Sequence, residues 1–142
     1  MIKSDYIFDN RIKLLVGDKA VYNIPYELAQ YGCDRALLVS DDITFRVGNL
    51  DYVKNVFKTQ KIDVIAIYRA VKEVATDKDC EEISRLYKSN DCDCLICVGK
   101  KAAIFAAKGA KILLTEDTKY ISHYESSPTS GIIVRDVPLV VI

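Results

Sequence analysis

Three apolar runs constrain what this chain can fold into: Arg35–Ser40, Ile62–Tyr68 and Cys94–Val98. They are largely continuous rather than alternating, the pattern of strands covered on both faces. Between them, apolar residues recur at helical spacing. Val53, Val56 and Phe57 share a face at about 50–60, and Cys80, Ile83 and Tyr87 share another. Thr76, with Asp79 three residues on, forms a capping-box pattern at the start of the second helix. Strands alternating with helices predict an α/β fold of βαβ units, with a mostly parallel sheet and helices on both faces.

The flanking stretches extend this frame. Tyr6-Ile7-Phe8 and Ile12–Val16 lie either side of Asp9-Asn10 and predict an N-terminal β-hairpin over 5–16. Pro25 suits the first turn of a helix on which Ile24, Leu28 and Tyr31 share a face, and Gly32 stops it. A helix is expected over about 101–109, followed by a short apolar run, Lys111–Leu114. Residues 115–131 read as a loop. Pro138–Ile142 reads as a last buried strand, and the sequence stops inside it.

The 142 residues fit a single domain, able to bury a core without disulfides or metal. Formal net charge is zero, which offers no electrostatic argument for nucleic acid or an anionic membrane. No run approaches the roughly 20 apolar residues of a membrane span, and MIKSDYIFDN is no secretory signal. The expected location is the cytoplasm. Five cysteines, three of them crowded into one apolar segment, fit reduced core thiols.

In open parallel sheets ligands sit beyond the carboxyl ends of the strands. Two strand ends carry chemistry here. Asp41 follows the first strand, where a carboxylate can accept ribose hydroxyls or cap the next helix. Gly99-Lys100-Lys101-Ala102 joins the third strand to a helix, where backbone amides and two lysines can attract phosphate or simply face solvent. The turn is neither a P-loop nor a glycine-rich dinucleotide fingerprint. Period-two alternation puts Cys92 and Cys94 on one face and Cys97 on the other, so no metal site is expected from these three. The single histidine, His123, reads as a surface residue.

The blocks as a whole resemble the N-terminal domain of iron-containing (group III) alcohol dehydrogenases, whose relatives include glycerol dehydrogenase and dehydroquinate synthase. The matching stretches are Lys13–Gly17 with Ala20, Tyr31–Asp42, Val53–Ala102 and Asp136–Ile142. Their order covers nearly the whole chain. The resemblance implies a Rossmann-like domain that binds NAD or NADP, with Asp41 near the adenosine ribose and the Gly99–Ala102 turn against the pyrophosphate. It also implies a second, helical domain that holds a divalent metal through an Asp and histidines.

Two departures shape the functional expectation. The family turn reads Gly-Gly-Gly-Ser; here Lys100, Lys101 and Ala102 replace the last three, and Phe105 stands where the family has aspartate. Lys108 matches a common family lysine. The family's metal-binding domain, with its Asp–His–His set, has no counterpart in these residues, so no metal and no catalytic residue are expected. The reading is a nucleotide-binding-type domain that is not catalytic alone. A separate C-terminal subunit would complete the enzyme. The alternatives are a non-catalytic nucleotide or anion-binding module, or an interaction module that forms homo-oligomers through its hairpin or uncovered face.

Overall fold

The computed structural model describes residues 13–117 and 136–142. After a 3₁₀ turn at Ala20–Asn23 come α1 (Ile24–Gln30), β1 (Arg35–Asp41), α2 (Asp42–Arg46), α3 (Asn49–Lys58) and β2 (Asp63–Val71). Then follow α4 (Asp77–Ser89), β3 (Cys94–Val98), α5 (Lys101–Thr115) and β4 (Leu139–Val141). The described strands form one parallel sheet in the order β2-β1-β3-β4. β1 and β3 are therefore central, and burial follows: β3 is buried throughout and β1 from Ala36 onward.

Strand alternation divides the core into two layers. Leu37, Val39, Leu95 and Cys97 face one layer, built with Ile83 and Tyr87 of α4 and the alanines of α5. Ala36, Leu38, Cys94, Ile96 and Val98 face the other, with Leu28 of α1 and Leu50, Val53, Val56 and Phe57 from α3. Small side chains at Ala102, Ala103, Ala106, Ala107 and Ala110 let α5 lie close on the central strands. The Thr76 capping box is formed: Thr76 Oγ1 accepts from the Asp79 amide, and Asp79 Oδ2 accepts from the Thr76 amide. Asp79 Oδ1 also accepts the Tyr68 hydroxyl at 2.6 Å, which ties the start of α4 to β2.

Several expectations are corrected. Among the described strands β2 lies at the edge, only half-buried over most of its length. Apolar continuity does not distinguish an edge from a centre, because sheet order is a tertiary property. β4 is likewise half-exposed, with Val141 and Ile142 open to solvent. α5 runs six residues past the expected end at 109, taking in Lys111–Leu114. Gly109 costs a helix about 1 kcal/mol relative to alanine, but Ala110, Leu113 and Leu114 continue the buried face beyond it. Tyr31 lies outside the core at the C-cap of α1. α2 is an additional short helix directly after Asp41. Lys13–Val16 takes no regular structure, with Leu14 and Val16 exposed. The rest of the expected hairpin, most of the 115–131 loop and His123 lie outside the described residues.

Candidate functional site

The two chemically interesting strand ends meet. Ser40 and Val98 are register partners in neighbouring central strands, and the Ser40 hydroxyl donates to the Val98 carbonyl at 2.6 Å. Asp41 and Gly99 therefore leave the sheet side by side. Asp41 is 6 % exposed and is the N-cap of α2. Its Oδ1 accepts the Thr44 amide at 2.8 Å, and its Oδ2 accepts the Thr44 hydroxyl at 3.0 Å. Oδ2 also accepts the Lys100 amide at 2.9 Å. One carboxylate thus braces both turns at the mouth of the crevice.

This brace sets the charge state of Asp41. Burial is the largest single influence and pushes its pKa up. The amide bonds from Lys100 and Thr44, the Thr44 hydroxyl and the Lys100 charge together outweigh burial and hold the carboxyl below its ordinary 3.8. The brace also explains Gly99. A Cβ at that position would stand 2.7 Å from Asp41 Oδ2 and 2.9 Å from the Ala103 Cβ. Glycine is needed because two turns approach closely; its φ is not in the left-handed region.

Lys100 and Lys101 sit at the start of α5 and are exposed, while Ala102 is buried. Lys100 has an extended backbone with φ −84°, so the lysine that replaces a family glycine causes no strain. It offers no side-chain oxygen to α5, whose first turn holds no acidic residue. Lys101 Nζ lies 5.6 Å from the Phe105 ring centroid. Lys108 is exposed further along the same helix. Beneath the turn, burial and then the Asp41 charge push the Cys97 thiol up to about 12, leaving it protonated at neutral pH.

The cysteines divide differently from the expected alternation. Cys92 lies before β3, in the turn, and faces the same core layer as Cys97; Cys94 faces the other. Period two holds only inside the strand. Cys94 instead meets Cys33, which sequence separation hid. Thr44 is a second residue missed; its position three after Asp41 is the spacing of an N-cap partner.

The sequence profile of the family described as iron-containing alcohol dehydrogenase matches residues 12–142. The chain belongs to that family. Methanol:N,N-dimethyl-4-nitrosoaniline oxidoreductase from Rhodococcus erythropolis is 29% identical over 119 residues, covering 80% of this chain and 26% of that protein. The protein of the same name from Mycobacterium sp. (strain DSM 3803 / JC1) is 26% identical over 113 residues, with the same coverage. A crystal structure of 1,3-propanediol oxidoreductase superposes with a TM-score of 0.76 at 22% identity, over 88% of this chain and 32% of that one. Sulfoacetaldehyde reductase from Bifidobacterium kashiwanohense, in complex with NAD+, gives 0.80 at 11% identity, over 98% and 36%. These likenesses show the Rossmann-like fold of the iron-containing alcohol dehydrogenases. The chain spans about a quarter of the length of the curated relatives it matches.

The family's name implies iron. The crevice residues described here do not fit it: Asp41 is committed to three donors, and no histidine stands among the described residues. No helix among the described residues is long and apolar enough to cross a membrane.

Proposed function

We propose that this chain is the nucleotide side of an iron-containing alcohol dehydrogenase-type fold. In this reading it holds the phosphates of NAD, NADP or a related nucleotide weakly at Gly99–Ala102 and performs no hydride transfer by itself. The observation that carries it is the N-terminus of α5, a 15-residue helix whose N-cap Lys100 makes no side-chain cap and whose first turn holds no acid, with Asp41 taking up only the Lys100 amide. Such an end carries positive potential and free amides, and Lys100 and Lys101 add charge beside it. Asp41 acts mainly as the brace that fixes the turn. The NAD+ named with the sulfoacetaldehyde reductase neighbour is consistent with this assignment. A bound nicotinamide would supply the hydride acceptor, and a metal-bearing partner domain the alcohol activation.

Calorimetric titration of the chain with NAD, NADP, ADP and ATP tests the binding. At least one should bind weakly, with an affinity that falls with salt and is lost in K100A/K101A. Silence for all four overturns the proposal. Alcohol-dependent reduction of NAD or NADP by the chain alone would overturn its non-catalytic half.

A second reading, self-association, is favoured by β4. Its outer edge has no strand partner among the described residues, and Val141 and Ile142 are exposed. A monomer by light scattering at high concentration removes it.

A further inference from the structure

At the opposite end of the sheet from the crevice, the chain brings together three donor groups that sequence distance separates. Cys33 precedes β1, Asp93 immediately precedes β3, and Cys94 opens that strand. One ligand atom from each, two Sγ and a carboxylate oxygen, lie within 4.8 Å of one another. Among the described residues this is the one such group of three. We propose that Cys33, Asp93 and Cys94 form a binding site for a thiophilic divalent cation of the zinc type.

The array is held in place before any ion arrives. Asp93 Oδ1 accepts the Arg35 amide and Oδ2 the Asp34 amide, each at 3.0 Å. The Asp93 amide in turn donates to the Arg35 carbonyl at 2.9 Å. Three bonds thus lock Asp93 against the chain that carries Cys33. Each carboxylate oxygen accepts one of these amides, and the carboxylate also takes a side-chain hydrogen bond from the Cys94 thiol, whose proton a bound cation would displace. The Cys33 amide donates to the Leu28 carbonyl at 3.1 Å, anchoring that residue to α1. Its thiol donates to the Asp93 backbone carbonyl at 3.4 Å, which holds it beside the residue that carries the third donor. Cys94 is fixed by its place in the central strand, opposite Ala36.

The donor set selects the ion. Two thiolates exclude magnesium and calcium, which take oxygen ligands. Zinc accepts mixed sulfur and oxygen donors at about 2.0–2.3 Å, which places donors somewhat under 4 Å apart around a tetrahedron. A contraction of about 1 Å from the present spread achieves this. Three protein ligands leave a fourth position for water. Binding releases the two thiol protons to solvent, and the ion's charge is then offset by two thiolates and one carboxylate. Asp93, half-buried, is the most accessible of the three ligands. This site is remote from Asp41 and Gly99 and does not depend on the nucleotide reading.

Cobalt(II) is the spectroscopic probe. Titrating the reduced 142-residue chain should give one equivalent of tight binding, with thiolate-to-cobalt charge-transfer bands and visible bands of tetrahedral intensity. Zinc should displace it. C33S should cut the charge-transfer intensity per bound cobalt by about half, since one thiolate remains, and weaken binding by at least about a hundredfold, the upper end of what even an outer-shell change costs a metal site. C94S should do the same. Should C94S fail to fold by circular dichroism, D93A joins C33S as the second test, with the bands weakened. C80S should bind as the parent does. Absence of one-to-one binding overturns the proposal, as does binding of parental affinity in C33S or an equal loss in C80S.

Discussion

The close approach of Gly99 to Asp41 makes a quantitative prediction. In Gly99→Ala the new methyl would meet Asp41 Oδ2 at 2.7 Å and the Ala103 Cβ at 2.9 Å. Neither neighbour is a loose side-chain end. Asp41 is held by Thr44 and Lys100, and Ala103 lies on α5 against the sheet. Overpacking of this kind costs about 1–3 kcal/mol. Shifting Asp41 also strains a charge-assisted bond to the Lys100 amide, itself worth about 1.5–3 kcal/mol. Reduced unfolded-state entropy returns about 0.4–1 kcal/mol. The net loss should be about 2 kcal/mol, read as a fall in urea midpoint at unchanged slope. A double-mutant cycle with Asp41→Ala isolates the cause. Removing the carboxylate removes the nearer clash but leaves Ala103, so Gly99→Ala should cost at least about 1 kcal/mol less in that background. A single-mutant cost under about 0.5 kcal/mol, or two costs that simply add, would refute the brace.

Other consequences follow from the same contacts. Asp41 has a folded-state pKa below its unfolded value, so its stabilisation is present above that value and is lost as pH falls below about 4 through the folded pKa; Asp41→Asn should flatten this acid limb in urea titrations at stepped pH. Thr76→Ala removes the hydroxyl that caps α4 and should cost about 1–2 kcal/mol by urea denaturation. Cys97, with its thiol pushed up to about 12, should resist alkylation at pH 7 in the native chain and react fully in denaturant, as read by mass spectrometry of labelled peptides. Rapid native labelling would contradict its burial.

The order of strands and helices was legible in the residues because it rests on local periodicity. RALLVS and CLICV announce buried strands, and the Thr76–Asp79 spacing announces a capped helix that forms as expected. The family was legible for the same reason: its ordered blocks are local patterns in sequence. Asp41 and Gly99 could be marked as strand-end positions on either side of a crevice. What they do to each other could not, since the bond from the Lys100 amide to Asp41 spans 59 residues. Nor could sequence choose between a ribose acceptor and a helix cap, as both need a carboxylate after a strand.

The three apolar runs, alternating with helical periodicity, by themselves pointed to a parallel α/β domain, because strands of helix-covered parallel sheets tend to be apolar without alternation. Tertiary structure decided which run is an edge: β2 reads as apolar as β1 yet lies half-exposed, since sheet order sets how much covers it. Tertiary structure also brought Cys33 to Cys94 and Gly99 against Asp41. Such juxtapositions arise where parallel strands align their ends, and strand register is a property of the packed sheet rather than of any one segment.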